Sequence, residues 1–339
     1  MVSKSELISE RSRKRYDVFM KGVTLGMHKA QRRVMEEIVW GILQSGTVRL
    51  SEIGRWIAGV GTRLLSRIKR MSRQLGDDWD NTPLRENHMR GIGRMVGRET
   101  SVVMDTSDIR KDRGRKFEYM SRVYDGSTGE TAMGYNLLTI TAVLGKGRQM
   151  PLYLAPFSVA APGYESENKE IIRGVDTVVK EIGNNGVWVA DRGFDNKWLF
   201  NELAERGLRF LVCGFRERRL KVDGVEQEVH GVVGGLELNG SMYVGRRGKT
   251  RGPVTIRYGS CRIVLPEWWD GTRHRQVHQE LWLLVVEYIC AKRKRLFPLL
   301  CGTQSELDPD AKFVYYRVLD ALQMATAFVL ALNLWLKSR

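Results

Sequence analysis

Cysteine is scarce. Four residues, Cys213, Cys261, Cys290 and Cys301, are spread along 339 positions. None has the paired spacing of a zinc site, and four distant thiols are too few for a disulfide framework. Free thiols in a reducing cytoplasm are the expectation. Histidine is hardly more abundant, at five residues with no His-Glu-x-x-His motif, which argues against a zinc hydrolase. Long apolar runs are missing too. The most apolar stretch, Ala325–Leu336, is too short to span a bilayer and reads as a buried C-terminal helix. The first residues are polar and charged, so neither a signal peptide nor a membrane association is expected. There is no internal repeat and no low-complexity tract. Acidic residues are in deficit, with 39 Asp and Glu against 55 Lys and Arg, a formal net charge of +16. That balance favours a polyanionic partner, either nucleic acid or an anionic membrane surface, with a plain solubility surplus as the alternative.

What is present is a globular composition, 42% apolar, in a chain long enough for two domains. The positive charge is uneven. Residues 1–98 hold 20 Lys and Arg against 10 Asp and Glu, whereas residues 99–339 hold 35 against 29. The N-terminal part therefore carries most of the excess, as a nucleic-acid-binding appendage would.

Residues 4–45 have a helical texture, with Val34, Ile38 and Ile42 at four-residue intervals and Met35 and Val39 beside them. Two shorter helices are predicted next, Ser51–Ile57 and Thr62–Leu75, with Ser51 and Thr62 as candidate caps and glycines between them. This is the outline of a helix-turn-helix. Leu64, Leu65, Ile68, Met71 and Leu75 form one predicted face of the second helix. Arg63, Arg67, Lys69, Arg70 and Arg73 fall elsewhere on it. Basic side chains so placed suit phosphate and guanine contacts, so Arg63, Arg67, Arg70 and Arg73 are candidate DNA-binding residues. The competing reading is a packing helix with a solvated basic face. Residues 76–98 read as a Gly-, Asp- and Asn-rich connector.

From Ser101 the texture changes to short apolar strands. Val102-Val-Met104 ends at Asp105, and Gly186-Val-Trp-Val-Ala190 ends at Asp191. Strands are also predicted at Phe117–Tyr124, Tyr135–Leu144, Met150–Tyr153 and Arg209–Cys213. Helices are predicted at Glu165–Ile182 and at Asn196–Arg206, the second capped by Asp195 and closed by Gly207. This order indicates an α/β sheet with mixed strand directions. Residues 216–303 break the rhythm as a β-rich insertion, and a helix is predicted over about Asp310–Lys337.

Two aspartates at adjacent strand ends can hold hard divalent cations through oxygen, the requirement of metal-assisted phosphodiester chemistry. Asp at a strand end is also an ordinary turn-former, and Asp108 and Asp195 fit that description. Lys292-Arg-Lys-Arg295 reads either as a DNA contact or as a solvated basic turn. Trp268-Trp269 reads either as packing under a loop or as a stacking platform for an unpaired base.

The two acidic blocks resemble a known family. Val102–Tyr124, with its Asp-Gly-Ser-Thr-Gly tail at Asp125–Gly129, is similar to the first catalytic block of insertion-sequence transposases of the DDE type, although Thr106 follows Asp105 directly. Gly186–Phe200, with Asp191-Arg-Gly-Phe-Asp195, resembles the second block. The resemblance implies an RNase H-like mixed sheet with a β-rich insertion at about 216–303, occupying residues 99–339 behind an all-α helix-turn-helix region at 1–98. It implies metal-dependent strand cleavage and strand transfer with two Mg²⁺ or Mn²⁺ ions on Asp105, Asp191 and a third acid. It also implies double-stranded DNA partners (element ends and target), a homodimer in the DNA complex, and a nucleoid-associated cytoplasmic location. Arg192 and Arg317 join the candidate DNA contacts. The family's third block is Tyr-x-x-Arg-x-x-x-Glu. Here Tyr316 and Arg317 are adjacent and Ala321 stands at the Glu position, so the third acid is Asp320, or Glu306, or absent. If it is absent, the chain is an inactive remnant that still binds DNA.

Overall fold

The computed structural model describes residues 4–302 apart from 58–61, 78–79, 112–113, 115–116, 126–127, 145–147, 245–253, 270–271, 278–280 and 291–292. Within it the chain forms two compact units, Met1–Ile92 and Gly93–Arg339.

The first unit is helical. The long N-terminal helical texture is two helices, α1 (Lys4–Val23) and α2 (Lys29–Ser45), parted at Gly26, whose positive φ of 85° breaks the helical path. α2 has two apolar faces because it serves two clusters. Met35, Val39 and Trp40 pack against Tyr16, Met20 and Val23 of α1. Ile38 and Ile42 pack against Ile53, Ile57 and Met71, which bring in α3 (Leu50–Trp56) and α4 (Leu64–Gly76). α2 and α3 approach closely at Gly41, where an added Cβ would lie 2.5 Å from Ile53 Cγ2 and 3.1 Å from the Ile53 carbonyl oxygen. Gly41→Ala is therefore expected to destabilise this unit by about 1–3 kcal/mol, the usual range for overpacking, and to lower its thermal midpoint. An unchanged midpoint would mean that α3 is free to shift.

Three sequence expectations are corrected here. α3 and α4 begin after Arg49 and Arg63, neither of which makes a side-chain cap, so Ser51 and Thr62 are not the capping residues. The apolar face of α4 is narrower than predicted. Met71 is fully buried and Ile68 packs beside it, but Leu65 is 60% and Leu75 51% exposed. Residues 82–93 are not connector but a fifth helix, α5 (Thr82–Gly93), in which Met89 and Ile92 are buried and Asn87 donates to the carbonyls of Val23 and Leu25.

The second unit is built on one ten-stranded sheet. Its first part contains β1 (Ser101–Arg110), β2 (Ser121–Asp125), β3 (Glu130–Leu144) and β4 (Arg148–Phe157). β3 lies antiparallel to β1 and to both β2 and β4. The other side of β1 pairs in parallel with β5 (Val187–Ala190), and β5 pairs in parallel with β6 (Arg209–Cys213). The crossovers run through α6 (Glu167–Ile182) and α7 (Lys197–Glu205). α6 is capped by Ser166 and buries Ile171, Val175 and Val178, while α7 buries Leu199, Phe200 and Leu203. Phe200 stacks on Phe210 with ring centroids 5.4 Å apart. Asn196, not Asp195, caps α7 by accepting from the Trp198 N–H at 2.9 Å.

The β-rich stretch after Cys213 contains β7 (Arg219–Val222), β8 (Val225–Glu228), α8 (Val229–Gly235), β9 (Gly240–Val244), β10 (Val254–Ile263), β11 (Trp268–Trp269), β12 (His274–Arg275), β13 (Leu281–Cys290) and β14 (Arg293–Gly302). It does not form a sheet of its own throughout. β14 pairs antiparallel with β6, and β13, β10 and β9 follow in turn, so four of its strands prolong the main sheet. The predicted basic turn is largely strand, since Arg293 pairs with Cys290 and Arg295 with Tyr288, while Lys292 lies outside the described residues. No helix among the described residues is long and apolar enough to cross a membrane.

Candidate active site and nucleic-acid interface

β1 does not end at Asp105. Its parallel pairing with β5 covers Ser101↔Val187 through Met104↔Ala190, and beyond that point β1 continues along β3 to Arg110. β5 stops at Ala190. Each chain's next residue is an aspartate, so Asp105 and Asp191 flank the same point at the C-terminal end of the parallel pair. Neighbouring strands are separated by about 5 Å, which sets the backbone spacing of the two acids. β6 is in register too, with Val212 opposite Ala190, so Cys213 takes the third place in this row. Asp108, read from sequence as a turn residue, is a buried position of β1 opposite Asn136.

The two carboxylates differ in environment. Asp191 is exposed, and its Oδ1 accepts from the Gly193 N–H at 2.8 Å, which caps the single 3₁₀ turn Arg192–Phe194. The Asp105 carboxyl is pushed up to about 7, first by burial and then by the charge of Asp191, against an opposing hydrogen bond from the Thr106 backbone. Two acids in electrostatic contact on adjacent strands are a hard-oxygen donor pair whose mutual repulsion a divalent cation would relieve. The donor chemistry thus fits the expected metal. Among the described residues no group of three or more Asp, Glu, His or Cys side chains gathers into a metal cluster. Asp320, Glu306 and Arg317 lie outside the described residues.

Around Asp191 the loops are tied down. The exposed Arg192 holds its guanidinium 5.6 Å from the centroid of the Phe215 ring. The Cys213 thiol is pushed up mainly by burial, with the charge of Arg192 pulling the other way. The Asp195 side chain is fully buried. Its Oδ1 lies 2.5 Å from Arg218 Nε, an ion pair off the line of a hydrogen bond, and its Oδ2 accepts from the Phe215 N–H at 2.7 Å. Sequence reading missed Arg218 and Phe215. Their only signal was position just past β6, the strand that completes the row.

In the helical unit the four candidate arginines divide. Arg67 Nη1 donates to the carbonyls of Gly54 at 3.2 Å and Ile57 at 2.8 Å, closing the end of α3, and Arg70 pairs with Glu37 of α2. Arg63 and Arg73 are exposed, and Lys69 shares the open face with Arg73 one turn on. The expected result is a split by role. Lys69→Ala and Arg73→Ala should each reduce the log–log salt slope of duplex binding by about 1 and leave thermal stability unchanged. Arg67→Ala and Arg70→Ala should lower stability. Equal salt-slope losses for all four would show that the internal pairs open on DNA.

Trp269, in the short β11–β12 hairpin, is 58% exposed and meets His274 edge-on at 5.2 Å between ring centroids. His274 and His278 stand four residues apart, a metal-ligand spacing on a helix. His274 lies in β12, and His278 lies outside the described residues.

No family model and no characterised protein sequence matches the chain. Among solved structures, it is similar to a piggyBac transposase in a synaptic complex with hairpin DNA, with a TM-score of 0.41 and 12% identity over 90% of this chain and 63% of that one. It is also similar to the Drosophila P element transposase in a strand transfer complex, with a TM-score of 0.21 and 12% identity over 69% of this chain and 56% of that one. The chain thus spans less than two thirds of either length. At these scores the likenesses carry no residue roles, and the functional reading rests on this chain's own side chains.

Proposed function

We propose that this protein is a DNA transposase of the DDE type. The observation that carries the reading is the register row that sets Asp105 and Asp191 side by side at the C-terminal end of the parallel strands β1 and β5. The antiparallel β1–β3 ladder beside the parallel β1, β5 and β6 agrees with an RNase H-like catalytic domain over residues 99–339. The basic helical region at 1–98 would then grip the element end through α4 and its helix-turn-helix.

Asp105 and Asp191 would hold two Mg²⁺ or Mn²⁺ ions, with Asp320 or Glu306 as the third carboxylate. Metal bound there would supply an activated water or 3′-hydroxyl and stabilise the leaving oxygen. Arg192, one residue from Asp191 and open to solvent, would contact a phosphate flanking the scissile bond. A homodimer on paired ends, and target DNA as the second substrate, follow from the same reading.

The test is the full chain with a duplex carrying the DNA ends that flank its coding sequence, in Mg²⁺ or Mn²⁺. Strand nicking that leaves a 3′-hydroxyl, followed by its joining to a second duplex, is the expected result. One observation favours a second reading, a non-catalytic DNA-binding remnant: Ala321 stands where the family pattern has its glutamate. Salt-dependent binding of the ends without nicking in either metal would establish that reading instead.

A further inference from the structure

The second acidic block ends in an aspartate that neither faces the metal pair nor caps a helix. Asp195 is buried, and its two oxygens reach the loop beyond the neighbouring strand β6, one to Arg218 and one to the Phe215 N–H. Arg218 also returns a hydrogen bond, from Nη2 to the Asp195 carbonyl oxygen at 2.7 Å. The loop after β5 and the loop after β6 are thereby joined at three points. Phe215, fixed by its own N–H, presents its ring to Arg192. Arg192 is thus seated against an aromatic face. An exposed arginine on a loop would otherwise sample many rotamers, and each would need reordering at the moment of phosphate binding.

We infer that Asp195, Arg218 and Phe215 form a positioning clamp that pre-orders Arg192 beside the Asp105–Asp191 pair for a phosphate of the DNA backbone. Its role in a reaction rests on the transposase reading above; the seating itself does not. Asp195 and Arg218 touch neither metal nor DNA and act only through Phe215 and the loop. Phe215 acts through Arg192. The buried charge pair fits this task because its geometry is restrictive: one carboxylate oxygen accepts from a backbone N–H, the other faces the guanidinium, and that guanidinium also donates to the Asp195 carbonyl oxygen, so the carboxylate has little freedom to turn.

Two measurements on the full chain separate this role from simple structural support. The first is the Arg192 Nε–H signal in a ¹⁵N spectrum, assigned by its loss in Arg192→Lys. In the wild type it should be displaced by the Phe215 ring current and protected from exchange. In Phe215→Leu, and in Asp195→Asn, it should collapse to the position of free arginine. Phe215 is 42% exposed, so Phe215→Leu keeps the fold even if Asp195→Asn does not. The second is the single-turnover nicking rate, expected to fall between about tenfold and a hundredfold in Phe215→Leu, the scale of a small misplacement of a binding group. In an Arg192→Ala background the same substitution should have no further effect, since it acts through that side chain.

A free-arginine signal in the wild type, or a signal unchanged in both variants, overturns the clamp. So does an equal rate loss in the Arg192→Ala background, which would mark Phe215 as general support. If the wild type never nicks but the signal depends on Phe215 and Asp195, the transposase reading fails and the seating of Arg192 stands.

Discussion

Asp105→Asn and Asp191→Asn are each expected to abolish metal-dependent nicking of an element-end duplex while leaving its binding intact. The size of the effect follows from what the carboxylates do. An Asn side chain keeps the shape and one oxygen but removes the negative charge that competes with water for a hard cation. Several kcal/mol of transition-state charge stabilisation depends on that cation, and each 1.36 kcal/mol is tenfold in rate, so a loss of about a thousandfold or more is expected. Both substitutions should act alike because both acids sit in one register row, Met104 and Ala190 preceding them on paired strands. Asp320→Asn and Glu306→Gln complete the set. Loss of nicking in Asp320→Asn assigns the third ligand, whereas normal nicking there with loss in Glu306→Gln moves the role upstream and keeps the enzyme class. Normal nicking in Asp105→Asn would sink the paired-acid site outright.

The acid pair was legible in the sequence for a simple reason. An apolar run of three or four residues followed by Asp marks a buried strand with a carboxylate just beyond its core, and the runs before Asp105 and Asp191 are of this kind. The strand β6 and the helices α6 and α7 were legible on the same grounds of apolar period and flanking caps. What failed shows where local pattern stops deciding. β1 runs on past Asp105 through polar Thr106, Ser107 and Asp108, because the ladder with β3 supplies backbone partners whatever the side chains are. α5 was hidden by Gly, Asn and Asp around it, residues whose low helical preference is overridden by burying Met89 and Ile92. On α4, helical period alone made Leu65 and Leu75 core residues, but α2 and α3 pack on Met71 and Ile68 and leave Leu65 and Leu75 exposed. Asp195 was read as a cap because Asp before a helix usually is one, and its bond to Phe215 lies across a strand crossover that no local pattern encodes. Likewise, nothing in the spacing of Arg67 and Arg70 reveals that Gly54, Ile57 and Glu37 engage them.

Without metal, the protein is expected to lose stability as pH rises from about 4 to about 7, and to recover it when Mg²⁺ or Mn²⁺ is added at the upper end. The cause is Asp105, whose carboxyl is pushed up to about 7 by burial and by Asp191. In the unfolded chain an aspartate releases its proton near pH 3.9. Between these values the folded state holds a proton that the unfolded state has given up, so the unfolded state binds fewer protons and stability must fall with rising pH. The contribution is fully present below about pH 4 and is lost as pH passes through about 7. The full span corresponds to roughly 4 kcal/mol. For a unit of this size that is about 10 °C in thermal midpoint. Asp105→Asn should remove the pH dependence and raise the midpoint of the metal-free protein at pH 8, even as it abolishes nicking. Such a gain in stability with a loss of activity is the signature of a charge held in place for function at the expense of the fold. Divalent cation should raise the wild-type midpoint at pH 8 and leave that of Asp105→Asn nearly still, since binding to the folded state alone stabilises it by mass action. A wild-type midpoint that is flat from pH 5 to 8, or equally shifted by Mn²⁺ in both proteins, would show that Asp105 is neither strained nor a ligand.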